Sequence, residues 1–172
     1  MKRARLIGLV TLIAVLGMLL MACGSSPKSR ADDFISYLPE EVGDWELDDT
    51  TQLLDSTVSS KGHAILTYEG DDDAIAYVII EVFPSEDSAD VAATNREREL
   101  LLQGLELDTD RAARQATAQV AQAGLVRYAL LHESDIVVEI NTLAAEEDAP
   151  VSDEAFELLL TMVRGAFGKF MD

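Results

Sequence analysis

Four polar side chains sit inside strand-like apolar runs. Glu81 interrupts Ala74–Phe83, while Arg127, Glu139 and Asn141 alternate with aliphatic residues in two later segments. Two carboxylates, a guanidinium and a carboxamide on one sheet face would make either the polar wall of a ligand pocket or a cross-strand ion-pair network. The ion-pair network is the ordinary reading, and Glu81, Arg127, Glu139 and Asn141 are the candidate set should the face bind a ligand. Other chemistry has weaker support. Nucleophilic catalysis needs a base within hydrogen-bond reach of the nucleophile. The imidazoles, His63 and His132, fall at strand ends, and no Gly-x-Ser-x-Gly elbow surrounds a serine. Asp71-Asp72-Asp73 offers hard oxygen ligands but lacks the spaced acids, central glycine and closing glutamate of a calcium loop. Phosphate loops and dinucleotide fingerprints are missing too. The expectation is a chain with no catalytic residues, no metal site and no cofactor, and so not an enzyme.

The one cysteine has a different context. Leu6–Met21 is a sixteen-residue apolar run behind Lys2, Arg3 and Arg5, closed by Leu20-Met21-Ala22-Cys23. A basic start, an apolar middle and small residues at the cut are the three parts of a secretory leader. As a helix the run would reach about 24 Å, short of the roughly 30 Å needed to span the hydrocarbon core. The ending resembles the lipobox of bacterial lipoproteins, with Met21 in place of the usual small or branched residue. That resemblance implies lipidation of Cys23, by a diacylglyceryl group and further acyl chains such as palmitate, and cleavage before it. The expected division is a signal peptide over 1–22, lipidated Cys23 with a flexible tether over 23–31, and one globular domain over 32–172. Two or more acyl chains hold stably, at about 0.8 kcal/mol per buried methylene. The small polar tether would reach about 15 Å.

All 32 acidic residues but only 10 of the 13 basic ones follow the leader, a formal balance of −22 for the mature chain. Nucleic acid is disfavoured, because binding it relies on basic side chains that neutralise phosphates. Anionic headgroups would repel such a domain, so its membrane partner is reached through lipid on Cys23. With no second cysteine an internal disulfide is excluded, and packing must supply the stability.

The elements that must position the four polar residues follow from periodicity. Asp32–Leu38 reads as a short helix stopped by Pro39. Trp45 opens a strand and is expected to plug one end of the core. His63–Glu69 and Ala74–Phe83 read as a hairpin, with Glu69 opposite Ala74 and the second strand central. Ser85, Glu86 and Asp87 start a helix that ends near Gly104, with Ala89, Ala93 and Leu100 inward and Arg96–Glu99 mostly solvated. Three further strands are expected at Ala116–Ala121, Gly124–His132 and Asp135–Leu143. An odd-length loop between the last two would set Arg127 beside Glu139 or Asn141. Ser152 caps a final helix whose stripe is Phe156, Leu159, Leu160, Val163, Phe167 and Phe170.

This order gives an α+β fold: an antiparallel sheet of about five or six strands with two main helices on one face. Element order alone makes it similar to the PsbP-like α/β sandwich domains, which include secreted bacterial lipoproteins; no functional residue is carried over. The functional expectation is a lipid-anchored, non-catalytic binding or envelope-assembly domain, with an envelope protein as partner. It would sit on the extracytoplasmic face of the cell membrane or envelope. The alternative is a small-solute or metal-ion receptor that uses the polar sheet face.

Overall fold

The hairpin of apolar strands is the centre of the molecule. In a computed structural model, which describes residues 26–52, 62–110, 117–144 and 149–171, Gly62–Glu69 (β3) pairs antiparallel with Ile75–Val82 (β4). Short Glu41–Val42 (β1) and Trp45–Gln52 (β2) extend the sheet on one side. Ile136–Leu143 (β8), Val126–Glu133 (β7), Thr117–Ala123 (β6) and Asp108–Asp110 (β5) extend it on the other. The sheet has eight strands in the order β1-β2-β3-β4-β8-β7-β6-β5, every pair antiparallel. The leader, Cys23 and the two residues after it lie outside the described residues. Among the described residues, no helix is long and apolar enough to cross a membrane.

Three helices complete the fold: Pro27–Ile35 (α1), Glu86–Leu102 (α2) and Asp153–Met171 (α3). They do not share a face. Ala76, Val78 and Ile80 of β4 and Val138 and Ile140 of β8 point into a core closed by Phe34 of α1 and by Leu159, Leu160, Val163 and Phe167 of α3. Helix α2 lies on the opposite face, where Ala89 buries against Phe83, Leu130 and Val137. The expectation of two helices on one face is thus corrected, and so is the strand count. Alanine at 89, 92 and 93 lets α2 approach the sheet closely with little apolar bulk, which is why it sits on the thinner core.

Both hairpin registers differ from expectation by one step, for one reason. Glu69 pairs with Ile75, because Asp71–Asp73 forms a 3-10 turn with Asp72 and Asp73 at positive φ, leaving Ala74 in the loop. Ala64, Leu66 and Tyr68 therefore share a face with Ile80, Val78 and Ala76. Glu133 pairs with Ile136 across the two-residue turn Ser134-Asp135, with Ser134 at φ 54°. The loop is even, so Arg127 stands opposite Thr142, not beside Glu139 or Asn141. A one-residue slip exchanges the faces of an entire strand.

The tether is shorter than expected. Helix α1 starts at Pro27, whose fixed φ suits the first helical position, and Ser26 Oγ accepts a hydrogen bond from the Ser29 amide at 3.2 Å. Ala31 is buried, so residues 27–31 belong to the domain. Gly62 makes this docking possible: a Cβ there would lie 2.3 Å from the Pro27 carbonyl oxygen. Arg30 then bonds Asp135 at 2.6 Å, and its guanidinium stacks 4.9 Å from the Phe170 ring centre.

The two longest helices start and end where their residues dictate. Ser85 caps α2 and Gly104 follows its end at φ 83°; the Ala155 amide donates to Ser152 Oγ at the start of α3. Trp45 plugs the core as expected: it is buried, Gly70 packs on its ring, and its indole N–H donates to the Ala155 carbonyl at 3.0 Å.

Candidate functional site

Helix α2 crosses β7 and β8 but leaves part of β4 uncovered, so a cleft of about 210 Å³ opens between helix and sheet. Its floor is Ile79, Glu81, Phe83, Val137 and Glu139; its roof is Ala92, Asn95, Arg96 and Glu99. Cross-strand pairing explains the floor. Ile79 faces Glu139 and Glu81 faces Val137 across the β4–β8 ladder, which puts both carboxylates on the α2 side. Asn141, paired with Tyr77, lies on that same face one step further along.

Three of the four expected residues, Glu81, Glu139 and Asn141, are thus brought to one face. Arg127 is not. It lies on the opposite face, where it pairs with Asp153 at the start of α3 and passes 5.9 Å from the Phe156 ring centre. Its place is taken by Arg96, whose Nε is 2.8 Å from Glu139 Oε2 and whose Nη1 donates to Glu99 at 3.0 Å. The Glu139 contact lies off the N–H direction, so Oε2 receives charge without a directed hydrogen bond. Asn141 Nδ2 donates to the other oxygen, Oε1, at 2.9 Å, and Asn141 Oδ1 is buried with no hydrogen-bond partner. Arg96 was expected in solvent with its charged neighbours. Its signal was present nonetheless: it continues the inward series Ala89, Ala92, Ala93 at helical spacing.

The arrangement sets limits on chemistry. Glu81, Glu99 and Glu139 line the cleft together with Arg96, a set rich in oxygen acceptors that suits amines or neutral donors better than anions. Among the described residues, no group of three or more His, Asp or Glu side chains converges as a metal site. Asp71–Asp73 is exposed at its turn. His63 lies on β3 opposite Glu81; His132 lies on β7, its Nε2 3.0 Å from the Ser134 carbonyl and 3.4 Å from Asp90 Oδ1. Both lie near strand ends, as expected, but neither is exposed: each is only partly accessible.

Beside the cleft the sheet face is open. Tyr77 is 40% and Leu143 45% exposed, with Ile75 half-buried next to them. β4 is central, as expected, but only one of its faces is fully covered. A second cavity, of about 270 Å³, lies at the end of the sheet between Asp44, Trp45, Asp71, Asp72, Val151 and Ser152.

No protein-family model and no curated protein matches the chain. Two solved structures are similar in fold. A GTP-binding regulator from Thermotoga maritima matches with a TM-score of 0.48 and 8% identity, over 80% of this chain and 87% of its own. The extracellular domain of PknH from Mycobacterium tuberculosis matches with a TM-score of 0.47 and 9% identity, over 75% and 86%.

Proposed function

We propose that this chain is a lipid-anchored lipoprotein of the cell envelope whose domain binds a partner protein without catalysing a reaction. The lipobox-like ending at Cys23 supports both the anchor and an extracytoplasmic position for the domain. The observation that carries the binding role is the half-open sheet face: α2 covers one part and leaves Tyr77 and Leu143 exposed beside a polar border of Glu139 and Asn141. An apolar patch with a polar rim is the anatomy of a protein contact. The acidic surroundings select a partner surface of basic and apolar character. A photo-crosslinking residue placed at Tyr77 or at Leu143 in cells tests this. Both positions should capture the same envelope protein, and exposed Val91 on the outer side of α2 should not. Capture at all three, or at none, counts against the reading.

A second reading is favoured by the buried Asn141 Oδ1 that lacks a hydrogen-bond partner. The cleft under α2 would hold a small cationic or donor-rich solute, with Glu81, Glu139 and Asn141 as acceptors and Arg96 as the displaceable counter-ion. Its volume is below the usual range for a drug-sized ligand, about 300 to 1,000 Å³, so the solute is small. Thermal shift against amines and polyamines separates the readings, because a solute selective for the folded state raises the melting temperature. A shift that survives Glu139→Gln unchanged would exclude the cleft.

A further inference from the structure

The molecule has two unlike poles, and the start of α1 lies at only one of them. The β3 residue Gly62, the turn Ser134-Asp135 and the end of α3 gather at the near pole, where Arg30, Tyr37, Phe170 and Met171 line a common surface cleft. The turn Gly70–Ala74, the start of α3 and the cavity beside Trp45 form the far pole. From Gly62 to Glu69 the strand climbs seven residues, about 23 Å.

We infer that the near pole faces the bilayer and that Tyr37, Phe170 and Met171, with Lys28 and Lys169, form a lipid-contacting surface. The inference rests on the proposed anchor at Cys23. Only Gly24 and Ser25 separate Cys23 from the Ser26 cap of α1, so the anchor and the folded domain are joined by at most about 11 Å of chain. That is less than half the pole-to-pole distance, so the domain has no room to turn over and lay its far pole on the membrane. A linker this short also holds the near pole at a high effective concentration against the surface.

The chemistry of the two poles matches this placement. Tyr37 and Met171 are each 39% exposed, next to the half-buried Phe170 ring, and an aromatic or thioether side chain with one wet side is suited to a headgroup boundary. Lys28 and Lys169 are exposed at the same pole, beside the exposed Asp33 that also lines the cleft. The far pole presents the denser acidic cluster of Asp44, Asp71, Asp72 and Asp73, which anionic headgroups repel. The occupant of the near pole is therefore a lipid surface, and the acid-rimmed Trp45 cavity opens away from it.

The natural chain has one cysteine, and lipidation would consume its thiol, so an added cysteine can be labelled uniquely. Full-length chains carrying Met171→Cys or Asp72→Cys, each labelled with a fluorophore, are reconstituted into phosphatidylcholine vesicles that hold a headgroup-attached nitroxide quencher. The Met171 position should be quenched several-fold more strongly than the Asp72 position. Equal quenching, or stronger quenching at Asp72, overturns the orientation. Intact mass of the same preparations reads the acyl chains on Cys23 separately. An acylated chain with equal quenching sinks the orientation alone, whereas an unmodified chain that fails to float with the vesicles sinks the anchor.

Discussion

Two arginines, one in a charged helical run and one in an apolar strand, have different uses. Arg96 neutralises Glu139, which is largely buried under α2, whereas Arg127 reaches out to Asp153, whose side chain is 90% exposed. A half-covered pair is screened less than a pair with one partner in water. A double-mutant cycle on Arg96 and Glu139, read by urea melts, should give a coupling of about 1 kcal/mol, and the same cycle on Arg127 and Asp153 a value near zero. Equal couplings would remove the distinction. Tyr68 makes a different kind of prediction. Burial pushes its phenol up to about 12, and its hydroxyl donates to the Pro39 carbonyl at 2.9 Å. The folded state therefore holds this proton more tightly than the unfolded chain does. That contribution is fully present below pH 10 and is lost as the pH rises from about 10 toward 12. Tyr68→Phe should lower stability at pH 7 by about 1 kcal/mol for the lost hydrogen bond and should flatten the alkaline fall in melting temperature. An unaltered alkaline slope would show that another group controls it.

At the scale of elements, the helices were legible where periodicity was strong, and the registers were not. The stripe from Phe156 to Phe170 and the Ser152 cap needed no tertiary context to be read, and the helix lies where they put it. The two hairpins slipped because Asp72, Asp73 and Ser134 adopt positive φ without a glycine to mark the turn. Each miscount moved a face, and the second moved Arg127 out of the candidate site. The face taken by α2 was hidden for another reason: small residues such as Ala89 and Ala92 fit either side of a sheet, and only the strand order decides. Helix α1 was hidden by composition, since Ser-Pro-Lys-Ser-Arg reads as a tether until Ser26 and Pro27 are recognised as a cap and a first helical residue. Removing the cap of α3 by Ser152→Ala should cost about 1 kcal/mol in chemical denaturation. Gly62→Ala should do more: the added methyl meets the Pro27 carbonyl, so α1 must lift. Hydrogen exchange should then show lost protection in residues 30–38 while β4 and β8 stay protected. Unchanged exchange in α1 would mean that the chain absorbs the methyl elsewhere.

At the scale of the whole molecule, one core carries the fold and the second is an accessory. Phe34, Tyr68, Leu160 and Phe167 are fully buried in the larger cluster, while α2 covers a few residues with alanines. Leu160→Ala should cost about 2 to 5 kcal/mol, and Leu102→Ala, at a position 81% exposed, less than about 0.5 kcal/mol. Similar costs at the two sites would contradict the difference in burial. The unequal cores also give α2 the weaker hold, so exchange should report opening of α2 at lower free energy than opening of β4.

The clasp between α1 and the sheet has a mechanical corollary. Any tug on the N-terminal end enters the globule at Pro27, where the contacts with Gly62 and the Arg30–Asp135 bond meet the load in succession. A pull directed along the strands would load their ladders in shear, and rupturing them would require many bonds to fail together. The helix can instead peel away turn by turn, a sacrificial fuse that yields first and spares the sheet.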